Sequence, residues 1–574
     1  TISSTPRPAA GGSAAAEDAP PSLTAAFDGG QLRLYFIPGP LPQALERFSR
    51  LTGRAPLPPQ WALGYHQSRW SYMNAAEVRQ VARGFIARDL PLSAIHLDID
   101  YMDGYRVFTV DRSRFPDLPG LAEELARDGV RLVAILDPGV KQDPAYDVYR
   151  SGLEQDAFCK LPTGQVMHGI VWPGWSAFPD FTNPAAREWW ATHYPRLLDQ
   201  GIAGVWHDMN EPTSFTAFGG PYLPKELRHH LDGQGGSHLQ GHNLYALQMA
   251  RAGFDGLRQA RPHRRPWIVT RAGWVGIARY AWNWTGDSHT SWDSLRMVTA
   301  IVLSCGLCGQ PYNGPDIGGF SGDPSAELYL RWFQLAACLP FFRTHSSFTT
   351  HRREPWSFGE PYTRHLRAAL QLRQRLAPYI YSLAWQAAQS GWPLVRPLLW
   401  LDPADRRLWD CDDAFLLGDA LLVAPVLHEA ARQRTLQLPP GDWYDFWDDT
   451  LYTGPAQVSL PVSLERIPLL ARAGAVLPVQ DGAHLELHVY APVSGSPAAL
   501  PAPLALYSDA GDGYGPSRLD TFSLLSGPDG ALQLDWSAAG DFPFPYARVD
   551  LVPHGPGRLD WGPAGPPSAS PISR

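Results

Sequence analysis

The sequence is poor in cysteine, in lysine and in long apolar runs, and each shortage excludes a class of protein. Five cysteines in 574 residues are too few for a disulfide framework. Only three of the basic residues are lysine, and 56 acidic side chains outnumber 48 basic ones, so the basic surface that nucleic-acid binding requires is missing. No apolar stretch reaches the roughly 18 residues of a membrane span. We therefore expect neither a nucleic-acid partner nor a membrane partner.

Two of the cysteines, Cys305 and Cys308, form a CxxC motif inside an apolar run. Because there is no second pair and no nearby pair of histidines, we interpret them as plain buried thiols, with no metal and no cofactor. Residues 1–28 are rich in Ala, Pro, Ser and Gly and lack the apolar core of a signal peptide, which predicts a flexible leader and a cytoplasmic location. A homo-oligomer stays open.

Tryptophan is abundant instead, at 22 residues, and 44% of the chain is apolar, enough for a large core. Aromatic faces stack on sugar rings as well as they fill cores, so carbohydrate is a candidate ligand. From Trp61 to about residue 350, short apolar runs alternate with amphipathic segments, such as the one that places Val78, Val81, Phe85 and Ile86 on one face. The runs are 61–66, 94–100, 131–137, 202–208, 266–271, 279–287, 309–316 and 341–345. Eight such units predict an α/β fold, a (β/α)₈ TIM barrel.

Each of these eight runs ends with a titratable residue, and active sites of such barrels lie at the carboxyl ends of the strands. Some of these residues could instead be helix N-caps, and Asp137, which precedes Pro138, is one candidate. The full set is His66, Asp98 and Asp100, Asp137, Asp208, Arg271, Asp287, Asp316 and His345.

After residue 390 the pattern changes to short alternating runs separated by Pro, Gly and Asp, which predicts β-sandwiches. A strand is expected at 31–37 and a helix at 41–52. The predicted domains are a flexible leader (1–28), a remnant of an N-terminal β region with a linker helix (29–60), the catalytic barrel (61–390), a proximal C-terminal β-sandwich (391–478), a distal C-terminal β domain (479–553) and a flexible tail (554–574).

Two carboxylates stand out by their context. Asp208 lies in WHDMNEP directly after an apolar run, and Asp287 lies in WNWTGD two runs later. Cleavage of a glycosidic bond needs two carboxyl groups that flank the bond. Neighbouring tryptophans would raise the pKa of one of them, so that it stays protonated.

These segments closely resemble glycoside hydrolase family 31. HLDIDYMDGYRVFT (96–109), ILDPG (135–139), VWPGWSAFPDFTNP (171–184), GPDIGGF (314–320), FFRTH (341–345) and LPPQWALGYHQSRWSY (57–72) follow the family's order together with the two motifs above. The resemblance covers about residues 35–510, and the W-x-D-M-N-E form is similar to the α-glucosidase branch.

The resemblance implies a retaining double displacement, with Asp208 as the nucleophile and Asp287 as the acid/base. It further implies that Asp98 holds the distal sugar hydroxyls, that His345 lies near the other hydroxyls, and that Arg271 fixes sugar and nucleophile. The pocket lining implied is Trp172, Trp206, Met209, Trp284 and Phe320, with Ile99 and Ile135 as smaller wall residues. Glu211 is interpreted as an orienting carboxylate, and Asp316, Asp137 and His66 as supporting polar residues.

The function expected is an exo-acting α-glucosidase on maltose, malto-oligosaccharides or other short α-glucans. An α-xylosidase or an α-transglucosylase of the same fold is the alternative, and a catalytically inactive sugar-binding protein is a third. The chain departs from the family in having only about 55 residues before the barrel, where members carry an N-terminal β-sandwich. It also has Ser288 after the acid/base, where Asn is more usual.

Overall fold

The computed structural model describes residues 2–4, 23–25, 33–215, 222–493, 501–526, 531–563 and 565–566, which fall into two compact units, Thr1–Gly39 and Pro40–Arg574. In the first unit Ile2–Ser4 pairs antiparallel with Leu23–Ala25. The rest of the predicted leader lies outside the described residues. The prediction of a strand at 31–37 is wrong for residues 33–37, which have no regular secondary structure.

A ring of parallel strands dominates the second unit and confirms the predicted barrel. In spatial order the strands are Trp282–Asn283, Ile268–Thr270, Ile202–His207, Arg131–Leu136, Ala94–Leu97, Tyr65–Gln67 and Phe342–Thr344. The predicted run 309–316 forms no strand of its own, but its backbone joins the two ends of this sheet. The N–H of Asn283 donates to the Tyr312 carbonyl at 3.2 Å, and the N–H of Ile317 donates to the Arg343 carbonyl at 3.1 Å. The ring is therefore closed.

Helices cover the outside of the ring, and their sequences explain their ends and buried faces. The Asn74 side chain caps the helix Ala75–Ile86 by accepting the N–H of Glu77 at 3.0 Å. Val78, Val81 and Phe85 are buried, but Ile86 is exposed, contrary to expectation, because it lies past the buried stripe. The helices of the unit are Leu41–Thr52, Ala75–Ile86, Leu118–Arg127, Asp147–Glu154, Pro184–Ala191, Pro195–Leu198, His238–Ala260, Trp292–Leu307, Ala326–Ala336, Tyr362–Arg375 and Ala377–Ser390.

Aromatic and imidazole rings fill the interior of the barrel. Trp267 contacts both Trp61 and His66, with ring centroids 5.2 and 5.3 Å apart. His66 is fully buried and lies 3.0 Å from His96 between ring nitrogens. Burial, helped by the charge of Arg343, lowers the pKa of His66 to about 3, so the ring is a neutral part of the core.

An excursion after the third strand of the barrel forms a small antiparallel sheet of Val140–Lys141, Gly174–Ala177 and His168–Val171, in that spatial order. Because the excursion leaves the carboxyl end of a barrel strand, it brings the loop with Trp172 to the catalytic side. Two buried thiols were expected in the CxxC motif, but Cys308, just after the helix Trp292–Leu307, is exposed and Cys305 is only half-buried.

The C-terminal part is rich in β-strands. In spatial order, the strands of the first sheet are Val395–Arg396, Phe415–Leu417, Leu421–Val423, Leu469–Arg472, Gln433–Asp445 and Leu451–Pro461. The second sheet consists of Val476–Asp481, His484–Tyr490 and Arg548–His554. The third sheet consists of Leu504–Asp509, Ser517–Ser526, Leu532–Gly540 and Leu559–Trp561. The predicted boundary at 478 falls inside a strand. The tail expected to be flexible from residue 554 instead contributes Leu559–Trp561, which pairs with Leu532–Leu534.

An ion pair joins the barrel to the third of these sheets. Arg265, in the loop before a barrel strand, pairs with Asp509, and the Tyr381 hydroxyl donates to Asp509 at 2.6 Å. Both charged side chains are buried. Among the described residues, no helix is long and apolar enough to cross a membrane.

Candidate active site

Asp208 is the first residue after the fourth strand of the barrel. Its N–H donates to the Leu136 carbonyl of the neighbouring strand at 3.4 Å. The next residue, Met209, has a φ of 55°, in the left-handed region that non-glycine residues rarely adopt. The Asn210 side chain holds this turn by donating to the Thr270 hydroxyl at 2.8 Å and accepting the N–H of Ala272 at 3.1 Å. Such locally strained backbone, fixed by its surroundings, is typical of functional sites.

Arg271, at the end of the next strand, fixes two acidic side chains at once. Its Nε and Nη2 donate to the two carboxylate oxygens of Glu211 at 2.8 and 2.7 Å. Its Nη1 lies 3.1 Å from Oδ1 of Asp208. The Thr213 hydroxyl also donates to Glu211, at 2.8 Å. Burial opposes ionisation of Glu211, but these donors hold its pKa below the ordinary value.

Asp287 follows the short strand Trp282–Asn283 and is exposed at the mouth of the barrel. Although the residue is exposed, the surrounding protein displaces part of its water, and this raises the pKa of the Asp287 carboxyl group against the charges of Arg271 and Arg343. Burial also raises the pKa of Asp208, to about 6, against the charge of Arg271, and the charge of Asp287 adds to the rise. The two carboxyl groups are thus close enough to influence each other.

A second polar group lies at the ends of the second and last strands of the barrel. Nε2 of His345 is 3.8 Å from Oδ2 of Asp98, and Nδ1 of His345 is 2.8 Å from the Ser68 hydroxyl. Asp98 also accepts the N–H of Ile99 at 2.7 Å. Burial raises the pKa of Asp98 and lowers that of His345, so both groups are shifted toward their neutral forms.

Aromatic rings connect these two polar groups. Trp206 meets His345 edge to face at 4.8 Å and Trp284 at 5.8 Å between ring centroids, and Phe320 stacks on His345 at 5.3 Å. Trp172 lies in a neighbouring aromatic group with Trp70 at 5.2 Å. The indole N–H groups of Trp172, Trp206 and Trp284 are buried and have no acceptor within the protein.

Beneath the tryptophans lies a buried ion pair of Asp316, a predicted supporting residue, and Arg343, which the sequence did not indicate. Nη2 of Arg343 donates to Oδ1 of Asp316 at 2.6 Å, and both side chains are fully buried. The Arg343 guanidinium lies over the rings of Trp206 and Trp284, at 4.7 and 5.1 Å from their centroids. Burial raises the pKa of Asp316 to about 7 although Arg343 acts against it. The sequence pattern that could have indicated Arg343 is its position two residues before His345, because side chains two residues apart in an extended segment point to the same side.

The smaller wall residues are placed by backbone contacts. Ile99 and Ile135 are buried, and the Ile135 carbonyl accepts the Tyr101 hydroxyl at 2.9 Å. The Met209 sulfur lies 3.3 Å from Nη2 of Arg271. Ile135 and Trp206 lie within barrel strands, and most of the other predicted site residues follow strand ends on the same face. Trp172 comes from a loop, and its neighbour Trp70 stacks on Phe320 at 6.5 Å between ring centroids. Ser68 and Arg343 are not among the site residues predicted from the sequence.

One group among the described residues brings together atoms that could bind a metal ion. Ligand atoms of Cys159, Asp180 and His229 lie within 4.8 Å of one another. Nδ1 of His229 is 2.7 Å from Asp180, and the Cys159 thiol donates to the Pro179 carbonyl at 3.5 Å. Because hydrogen bonds within the protein already use these atoms, the group fits a structural network better than a metal site.

Comparison with known families decides the classification. Residues 55–383 match the profile described as "Glycosyl hydrolases family 31 TIM-barrel domain", and residues 391–477 match "Glycosyl hydrolase family 31 C-terminal domain". The chain belongs to glycoside hydrolase family 31. This confirms the predicted family.

Among family 31 relatives, Alpha-glucosidase 2 of Bacillus thermoamyloliquefaciens is 40% identical over 496 residues, which are 85% of this chain and 62% of that protein. The crystal structure of the glucosidase II alpha subunit in a Glc1Man2-bound form superposes with a TM-score of 0.79 at 32% identity, over 85% of this chain and 55% of that chain. The crystal structure of a GH31 alpha-xylosidase from a soil metagenome, complexed with xylose, superposes with a TM-score of 0.70 at 29% identity, over 76% of this chain and 66% of that chain. The chain spans only about three fifths of the first relative's length.

Proposed function

We propose that the protein is an exo-acting retaining α-glucosidase that releases α-glucose from the non-reducing end of maltose or short α-glucans. Asp208 attacks the anomeric carbon and forms a covalent glycosyl-enzyme. Asp287 protonates the leaving oxygen and then activates water. The observation that carries this proposal is the arrangement at the strand ends: Asp208 is fixed by Arg271, while the exposed Asp287 lies near enough to raise its pKa.

The surroundings of these carboxyl groups support a sugar as the ligand. Asp98 and His345 offer polar atoms at the ends of the two strands that flank Tyr65–Gln67, and Trp206 and Phe320 offer ring faces beside them. The relative named as an α-glucosidase favours glucose.

The alternative is an α-xylosidase, and the similarity to a solved structure of that activity supports it. The two sugars differ in the hydroxymethyl group, so the room around that group decides between them. α-Transglucosylation is a second alternative, because a sugar acceptor in place of water would intercept the same glycosyl-enzyme.

The test compares hydrolysis of p-nitrophenyl α-glucoside and α-xyloside, with proton NMR of the first anomer released. Preference for the glucoside with α-glucose released first supports the proposal. β-Glucose first contradicts retention, and preference for the xyloside supports the alternative. Asp208→Asn must abolish turnover, whereas Asp442→Asn, a buried aspartate of the C-terminal sheet, serves as the matched control.

A further inference from the structure

Asp137 occupies the strand end next to the nucleophile. The strands Arg131–Leu136 and Ile202–His207 are parallel, and Leu136 and His207 are their last paired residues. The next residue of each strand is Asp137 and Asp208, respectively. Neighbouring strands lie about 4.8 Å apart, so this register sets the two carboxyl groups side by side. Since side chains alternate along a strand, both point to the side of Ile135 and Trp206.

Asp137 lacks the contacts that a structural aspartate usually makes. Its side chain is 4% exposed, yet Oδ1 accepts no hydrogen bond from the protein. Asp180, which is 6% exposed, accepts hydrogen bonds from His229, from the Thr182 hydroxyl and from the N–H of His230. The N-cap interpretation of Asp137 is also wrong, because the next helix starts only at Asp147. Oδ1 of Asp208 similarly lacks a well-aligned hydrogen bond.

The charges around Asp137 favour its protonated form. Burial raises the pKa of Asp137 well above its ordinary value, and the charge of Asp208 raises it further. Arg271 acts in the opposite direction, but its donors are shared between Asp208 and Glu211. The charge of Glu211 also raises the pKa of Asp137, and Asp98 and Tyr101 interact with Asp137 as well. Two neighbouring carboxyl groups in such a place do not both ionise readily.

We propose that Asp137 is a positioning residue: a neutral carboxylic acid that donates a hydrogen bond to the Asp208 carboxylate. The proposal rests on the proposed function in one respect, the role of Asp208 as nucleophile. The hydrogen bond stabilises the ionised form of Asp208 and holds one of its oxygens, which leaves the other free to attack.

The sign of a pH shift tests this proposal. In the pH profile of kcat/KM for p-nitrophenyl α-glucoside, we expect the acid limb of Asp137→Ala to lie about one pH unit higher than that of the wild type. The reason is that the variant has lost the hydrogen-bond donor to the Asp208 carboxylate. Asp137→Asn, which keeps an N–H donor, should retain the wild-type limb within about 0.3 units. If Asp137 is instead ionised, both substitutions remove a negative charge, and the limb moves to lower pH. That result overturns the proposal.

A purely structural role predicts a different pattern. Both variants would then lose thermal stability and keep the wild-type pH profile, which also overturns the proposal. Asp442→Asn is the control, since that buried carboxylate accepts the Thr453 hydroxyl at 2.7 Å in the C-terminal sheet. Where Asp137→Ala does not fold, Asp137→Val, which also lacks a hydrogen-bond donor, replaces it.

Infrared difference spectra measure the protonation of Asp137 without any need for activity. At neutral pH the wild type minus Asp137→Asn difference should contain the band of a protonated carboxylic acid, and the difference for Asp442→Asn should not. Absence of the band overturns the proposal. A wild-type protein that has the band but hydrolyses no α-glycoside refutes the proposed function and leaves the protonation of Asp137 supported.

Discussion

Removal of the charge of Arg271 should shift the acid limb of the pH profile of kcat/KM to higher pH. Asp208 must be ionised to act as a nucleophile, and its pKa of about 6 reflects a balance between burial, which raises it, and Arg271, which lowers it. Arg271→Met keeps much of the apolar stem but removes the cation. The pKa of Asp208 must then rise, and the acid limb of kcat/KM must move to higher pH.

The size of the effect follows from the 3.1 Å contact between Arg271 and Asp208. At an effective dielectric constant near 20, Coulomb's law gives about 5 kcal/mol as an upper bound for this pair. Neighbouring cations in proteins typically lower the pKa of a carboxyl group by about one to three units, which corresponds to about 1.4–4 kcal/mol. A rise of about two units would lower the ionised fraction of Asp208 at pH 7 about tenfold.

The assay is kcat/KM for p-nitrophenyl α-glucoside across the acid limb, in wild type, Arg271→Met and Arg271→Lys. The lysine variant keeps the charge but loses the two-pronged contact with Glu211, so its limb should lie between the other two. An acid limb that stays in place, or moves to lower pH, in Arg271→Met would refute the electrostatic reasoning. Thermal unfolding of each variant separates this effect from a loss of folded protein.

Three further predictions concern the pocket, the domain contact and metals. Ser68→Ala removes the hydroxyl 2.8 Å from His345 and should raise KM about fivefold with little change in kcat, measured by steady-state kinetics. Asp509→Asn should lower the free energy of unfolding at pH 7 by about 3–5 kcal/mol, because it leaves Arg265 buried without its partner. Burial opposes ionisation of Asp509, but Tyr381 and Arg265 lower its pKa, so this stabilisation is complete above the ordinary pKa of about 4 and is lost as the pH falls below it. Denaturant titrations at pH 7 and pH 3 should therefore show a smaller difference between variant and wild type at pH 3 than at pH 7. A chelator should leave activity and Tm unchanged, since hydrogen bonds already use Asp180 and His229.

The residues at the strand ends could be predicted from the sequence, because a parallel barrel brings the carboxyl end of every strand to one face. This holds however the side chains pack between the strands and the helices. Asp208, Asp287 and His345 follow from that rule and from their motifs. Ser68 could not be predicted in this way, because it contacts His345 only through the pairing of Tyr65–Gln67 with Phe342–Thr344, the first and last strands of the ring. Contacts that depend on closure of the ring carry no local sequence pattern.

The C-terminal boundaries were harder to predict for a related reason. Leu559–Trp561 looked like part of a flexible Pro- and Gly-rich tail, yet it pairs with Leu532–Leu534. Short edge strands obtain their hydrogen bonds from a distant partner, so composition alone underestimates them. Conversely, apolar residues favoured a strand at 31–37, yet residues 33–37 have no regular secondary structure.

The different surroundings of Asp208 and Asp287 support different roles for them. Asp208 is held by a neighbouring strand, by Arg271 and by the turn at Met209, so its oxygens are fixed where an attacking group must be. Asp287 follows Gly286, is exposed, and forms no salt bridge among the described residues. A group that gives a proton to the leaving oxygen and later takes one from water must exchange protons with its surroundings, which exposure permits. If the roles were reversed, a buried, ion-paired carboxylate would have to release and regain a proton beside Arg271, and that cation disfavours the protonated form.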